Sequence, residues 1–351
     1  MGAAAGAGAE PSLPRGCTMS LRAMRLKLRA AMLAAHIPRA ATAMPRGRKK
    51  SPFRMTEPAQ DSPDKAVAFL LRQLNLEPTD YDHFRGQPGQ EEGRLFGGLV
   101  LAQSVVAAGR TISFGAIHSL HAYFLRAGQP KDPIDYNVER VREGRNFLTR
   151  RVTAVQAGHT IFEASVSFVA PEEGISHQEP MPEAPDPETC EPWWTTIAMP
   201  RMAEQLPPGM ADRMRRSMNH PIDLRSAARP TRESDGDGRL PARMVWGKMN
   251  APLPEDPILH AAAMVYLSDS GLVATVAHHY GIWMPGGASA SLDHAMWFHR
   301  PPRFDDWILY VSESPAAHAA RGLMFAGMYD REGVRVASVA QEGLFRKPPP
   351  R

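Results

Sequence analysis

The chain has 351 residues, 43% of them hydrophobic, and a formal net charge of +4, which is enough for two ordinary domains with a sizeable core. No apolar run approaches the ~18 residues of a membrane span, and the two cysteines, Cys17 and Cys190, are too few for a disulfide framework or a cysteine metal site, as suits a reducing compartment. The positive charge is local: residues 1–54 hold eleven Lys and Arg and one acid, Glu10, so from Met55 onward 30 bases face 36 acids, and nucleic-acid binding would rest on the tail alone against a mildly acidic body.

Residues 1–60 form the first segment, a basic tail rich in Ala, Gly, Pro and Arg. Three readings of it stand: an organellar transit peptide, a disordered basic arm, or a start set too far upstream, with Met55 opening a more conventional N-terminus. The protein is accordingly expected in the cytoplasm, or in mitochondria if the tail is a transit peptide. The opening Met-Gly is no myristoylation signal, because Gly6 stands where Ser or Thr is needed, and the closing Pro-Pro-Arg is no peroxisomal address.

Further along, Val67, Leu70, Leu71 and Leu74 mark a short amphipathic helix over Lys65–Leu76, followed by a turn at Pro78. Tyr81–Arg94 is polar and Gly-rich. Leu95–Ile112 then becomes apolar and small, a buried helix entered through Gly97 and Gly98, whose missing side chains allow close approach and bare N-terminal amides. It is not a phosphate loop, since no Lys-Ser or Lys-Thr follows. Four strand-like runs come next, at 117–125, 134–142, 147–156 and 160–169, separated by Gly-containing turns. Pro171–Pro192 is an acidic, proline-rich connector too poor in periodic apolar residues to be core; Cys190 within it has no marks of a reactive thiol. Trp193–Met218, with Arg213, Arg215 and Arg216, has two readings, an irregular linker or a helical one.

The second half repeats the first. Strand-like segments at 221–227 and 239–248 lead to a long helix over Ile258–Val276 and then to strands at 290–298, 307–313, 322–329 and 335–345. His121-Ala122 is echoed by His294-Ala295 at an offset of 173, and the glycine turns at Gly158 and Gly333 by one of 175. One helix followed by antiparallel strands, occurring twice, is the predicted organisation, and a sheet curled around each helix accounts for how apolar both helices are.

One residue breaks the pattern. At helical spacing Ile258, Ala262, Val265, Asp269, Leu272 and Val276 share a face, and Asp269 is a carboxylate where a hydrophobe belongs. Burial costs such a group several kcal/mol unless something pairs with it or uses it. Two readings follow: Ser268, Asp269 and Ser270 before Gly271 mark a helix end, or Asp269 is a catalytic carboxylate in an apolar cleft. His278-His279 does not suggest a metal, since adjacent residues share no helix face and no ligand stands at i+4.

Several stretches together resemble the acyl-CoA thioesterase II family, which has a double hotdog fold. They are Arg94-Leu95-Phe96-Gly97-Gly98, His118 through Arg126, Tyr266-Leu267-Ser268-Asp269, Ser291 through Pro301 (Ser-Leu-Asp-His-Ala-Met-Trp-Phe-His-Arg-Pro) and Gln341-Glu342-Gly343, within about residues 64–346. The resemblance implies an α+β double hotdog: two repeats of a long central helix wrapped by an antiparallel sheet, an N-terminal hotdog at 61–172, a linker at 173–218 and a C-terminal hotdog at 219–351 that carries the chemistry. It implies hydrolysis of fatty acyl-CoA to free acid and CoA, with Asp269, Ser291 and Gln341 holding the attacking water, no cofactor or metal, and association into a homo-oligomer. The chemistry of a thioester agrees: it needs an activated water, a carboxylate to take its proton and donors for the oxyanion.

Two departures stand out. Leu99 occupies the place of the family's common Gln, and Ser291 stands in place of Thr, keeping the hydroxyl without the methyl. Leu99 to Arg110 contains no carboxylate, so one active site per chain is expected. Asp293 and His294 are strand neighbours on opposite faces and form no direct dyad; His294 has a counterpart in His121 of the acid-free half, which favours a structural role. Two other functions compete. A hotdog enoyl-CoA hydratase would need His five residues after its Asp, where Ala274 stands, and a non-catalytic acyl-CoA sensor would have no use for Asp269, Ser291 and Gln341 together.

Overall fold

A computed structural model describes residues 63–89, 95–192, 220–227, 242–279 and 288–346. The readings made for residues 1–60, for Trp193–Met218 and for the side chains of His278 and His279 therefore lie outside the described residues. Glu57–Arg351 form one compact unit.

Three helices build the interior. Helix α1 (Pro63–Leu74) opens with Asp64 and closes with Arg72, each suited to its end of the helix dipole, and buries Val67, Leu70 and Leu74. Helix α2 (Gly97–Gly109) is apolar all round, and every residue from Gly98 to Ala108 is buried. Its single amide, Gln103, is satisfied: Nε2 donates to the Gln73 carbonyl of α1 at 2.8 Å, and Oε1 accepts from the buried Tyr136 hydroxyl at 2.6 Å. Helix α3 (Pro257–Asp269) starts with Pro257 after Asp256, whose side chain caps the Ile258 N–H at 2.9 Å. Helices α2 and α3 pack antiparallel, with Gly97 at the start of α2 against Asp269 at the end of α3, and Gly109 at the end of α2 against Ile258 at the start of α3.

All thirteen described strands join one antiparallel sheet: β1 (Glu77–Asp80), β2 (His83–Gly86), β3 (Ala116–Phe124), β4 (Ile134–Glu143), β5 (Phe147–Gln156), β6 (His159–Val169), β7 (Ile222–Ser226), β8 (Arg243–Met249), β9 (Ala288–Ser291), β10 (Asp293–Phe298), β11 (Ile308–His318), β12 (Arg321–Tyr329) and β13 (Arg335–Arg346). The spatial order is β1-β2-β4-β5-β6-β3-β10-β13-β12-β11-β8-β7, with β9 on the side of β13. Read outward from the central pair, the first half runs β3-β6-β5-β4-β2 and the second β10-β13-β12-β11-β8, the same order of elements. The hairpin turns predicted from the glycine echo are present, with Gly158 at φ +77° and Gly333 at φ +80°.

Four features differ from the sequence reading. The helix expected over Ile258–Val276 ends at Asp269, because Ser270 turns extended and Gly271 takes φ +78°; a short helix, α4 (Ala274–His279), follows. The polar stretch after Pro78 forms the edge hairpin β1–β2, whose first strand is fully exposed and so has no alternation to detect. Pro171–Pro192 has no regular structure beyond a 3₁₀ turn at Pro187–Thr189 and a single antiparallel bridge from Pro192 to Arg225, yet it covers apolar surface: Met181, Ala184 and Cys190 pack on a small cluster of Trp246, Trp307, Leu309 and Tyr329 on the sheet face away from the helices. The Trp246 indole donates to the Pro185 carbonyl at 2.9 Å and the Trp307 indole to Glu188 at 3.2 Å, so polar bonds rather than periodicity hold this strap.

The fourth concerns the histidine echo. Strands β3 and β10 pair with His121 opposite Ala295, and burial alternates so that Ala122 matches Met296 and Tyr123 matches Trp297. That alignment sets Leu120, not His121, against His294. His121 is exposed and stacks edge-on against Trp297 with ring centroids 5.2 Å apart, whereas His294 is buried. A one-residue slip reverses the face, so His121 is no counterpart of His294.

Candidate active site

The end of α3 is where a carboxylate is least comfortable: Asp269 sits at the negative pole of its own helix and is only 7% exposed. What lies opposite compensates. Helix α2 begins at Phe96 with no side-chain cap, and its Gly98 N–H donates to the Asp269 carboxylate instead. Gly97 makes the approach possible, because a Cβ there would stand 2.9 Å from Asp269 Oδ2 and 2.8 Å from the Phe124 ring. The carboxylate and the helix start come from different halves of the chain.

Ser291, the last residue of β9, donates its hydroxyl to Asp269 Oδ1 at 3.1 Å. Gln341 on β13 donates Nε2–H to Ser291 Oγ at 2.7 Å. The three residues singled out on the sequence are thus brought into one chain of hydrogen bonds. Burial pushes the Asp269 carboxyl up to about 6, against the opposing pull of Ser291, the Gly98 amide and Gln341. At neutral pH it is an ionised base with a pKa close to the working range.

A cavity of about 530 Å³ opens beside this chain, with Asp269 and Ser291 in its wall and Phe96, Val100, Phe124 and Phe162 among its apolar lining. Arg126 lines it as well, its guanidinium donating to the Thr160 carbonyl at 2.6 Å. Leu99 is packed in the hydrophobic core, and the α2 residues that line the cavity are Gly97 and Val100.

Sequence reasoning missed two residues that extend the chain. His294 Nδ1 lies 2.6 Å from Gln341 Oε1, and its Nε2 lies 2.9 Å from Ser268 Oγ on the last turn of α3. Burial lowers the imidazole to about 4, so the ring is neutral. The signal that could have found it is strand alternation, which turns His294 inward together with Met296. Asp293 points the other way and accepts from the Glu342 N–H at 2.7 Å. Elsewhere, burial raises the Cys190 thiol, as an unreactive cysteine requires, and no group of three or more potential metal ligands occurs among the described residues.

The sequence profile described as Acyl-CoA thioesterase matches residues 216–344, and that of the Acyl-CoA thioesterase N-terminal domain matches residues 87–169. Mouse acyl-coenzyme A thioesterase 8 is 36% identical over 303 residues, 82% of this chain and 92% of the mouse protein. The crystal structure of an acyl-CoA thioesterase II from Mycobacterium marinum superimposes with a TM-score of 0.66 at 36% identity, covering 80% of this chain and 99% of that one. A hotdog-fold protein of unknown function from Alicyclobacillus acidocaldarius, 19% identical, superimposes with a TM-score of 0.63 over 80% of this chain and 98% of its own. The fold is of the hotdog type, α+β, and the chain belongs to the acyl-CoA thioesterase II family.

Proposed function

We propose that the chain hydrolyses fatty acyl-CoA thioesters to the free fatty acid and CoA, with Asp269 as general base and Ser291 and Gln341 orienting the attacking water. The observation that carries the reading is the buried carboxylate, hydrogen-bonded to Ser291 and through it to Gln341, in the wall of an apolar cavity. The water oxygen adds to the thioester carbonyl carbon while its proton passes to Asp269. The oxyanion that forms meets the second N–H of the Gln341 amide, the one not given to Ser291, and the positive end of α2. Its collapse breaks the C–S bond, Asp269 returns the proton to the departing sulfur, and one water is consumed for each acid and thiol released. No covalent acyl-enzyme is needed, and the cavity holds the acyl chain.

The matching strand orders of the two halves support the finer description as a double hotdog, with repeats at 61–172 and 219–351 joined by 173–218. They also support a single active site per chain. Around the matching end of α2, Gly109 replaces the carboxylate and Ile258 covers it, while Leu120 and Val166 take the places of His294 and Gln341. The test is thiol release from short, medium and long acyl-CoAs, with the acid product identified by mass. Release of thiol and acid in equal amounts is expected; binding of acyl-CoA without release would overturn the reading in favour of a sensor.

A further inference from the structure

We infer that His294 is a positioning residue for this reaction, fixing the Gln341 side-chain amide so that its N–H₂ faces Ser291 and the substrate; the inference rests on the thioesterase reading above.

Donors and acceptors can be followed along the chain of bonds. An ionised Asp269 only accepts, so the single Ser291 proton goes to it. Ser291 Oγ then accepts from Gln341 Nε2, which leaves Gln341 Oε1 as an acceptor facing His294 Nδ1. Nδ1 must therefore carry the proton, and in a neutral ring Nε2 accepts from the Ser268 hydroxyl. The Ser268 hydroxyl also donates to the Val265 carbonyl at 2.7 Å, so its proton is shared between two acceptors. With the proton on Nε2 instead, Ser268 Oγ would accept from the ring and every bond would reverse: the Gln341 amide would flip, the Ser291 proton would point at Gln341, and Asp269 would have to hold a proton itself. The tautomer of His294 and the availability of the base are thus two descriptions of one network.

The fold does not need a histidine at this position. Leu120 occupies the matching place in the first half, buried and opposite Val166, and that half has no carboxylate at the matching helix end. The polar pair His294 and Gln341 occurs where Asp269 is, and an apolar pair where it is not.

The test uses the full-length protein. Thiol release from a medium-chain acyl-CoA is measured for the native protein, His294→Leu, His294→Asn, Gln341→Ala and the double variant His294→Leu/Gln341→Ala, alongside Tm. We expect His294→Leu to lower kcat by about 30-fold or more with KM within about threefold. His294→Asn, whose amide can donate from the Nδ1 position, should restore activity to within about fivefold, and His294→Leu should cost less than about threefold once Gln341 is already Ala. Equal losses from His294→Leu in the native and Gln341→Ala backgrounds, or an Asn variant no better than Leu at equal Tm, would overturn the inference. Nitrogen-15 NMR of the native imidazole requires no activity: the Nδ1–H neutral tautomer is expected, and the Nε2–H tautomer would overturn the inference. Absence of thiol release by the native protein would instead refute the thioesterase reading, and the tautomer would still judge the network.

Discussion

Replacing Asp269 by Asn should stabilise the protein at neutral pH while disabling it. Asn keeps the shape and removes a buried charge. The carboxyl rises from 3.8 to about 6 on folding, a shift of roughly two units, and at about 1.36 kcal/mol per unit the ionised form costs the folded state about 3 kcal/mol. The sign follows from proton binding: between pH 4 and 6 the folded state holds a proton that the unfolded state has lost, so native stability falls as pH rises through that window. The Asn variant has no such loss. Its advantage should be near zero at pH 4 and reach about 1–3 kcal/mol at pH 7, less than the full cost because Asn presents an N–H to donors that the carboxylate accepted. Urea unfolding of both proteins at pH 4, 5, 6 and 7 measures it. An advantage that does not grow with pH, or an Asn variant less stable at pH 7, would refute the reasoning.

Two further substitutions probe the geometry. Gly97→Ala places a methyl 2.9 Å from Asp269 Oδ2 and against Phe124, and should lower kcat by about 10- to 100-fold in the thiol-release assay, because displacing the base by a fraction of an ångström misaligns the water. Ser291→Ala removes the hydroxyl that links Gln341 to Asp269 and should lower kcat by about 10- to 100-fold, whereas Ser291→Thr keeps the hydroxyl and should retain most of the activity.

Which parts of this architecture can be read from sequence depends on the physics each part leaves in it. Asp269 shows because a charge interrupts a buried stripe, and the structure has it both at the helix end and buried. Its partners leave no such mark. Ser291 and Gln341 are ordinary strand residues until a resemblance singles them out, and only the fold brings β9 and β13 beside the end of α3. Two signals compete at the break after Asp269: Ser268, Ser270 and Gly271 mark a helix end, while Leu272 and Val276, which belong to the following turn and α4, continue the apolar stripe across it. His121 and His294 share a letter but not a face, and alternation along β10 decides the face. The connector at Pro171–Pro192 lacked periodicity because the indoles of Trp246 and Trp307, not a repeating apolar stripe, tie it down.

The most direct test of Asp269 as the base is the pH dependence of kcat/KM for acyl-CoA hydrolysis in the native protein and in Asp269→Asn. The native profile should fall about tenfold per unit below pH 6, following the raised carboxyl, and the variant should be slower by about 100-fold or more at pH 7.5 and flat across that range. A variant within about threefold of the native rate, or a native profile with no acid limb, would contradict it.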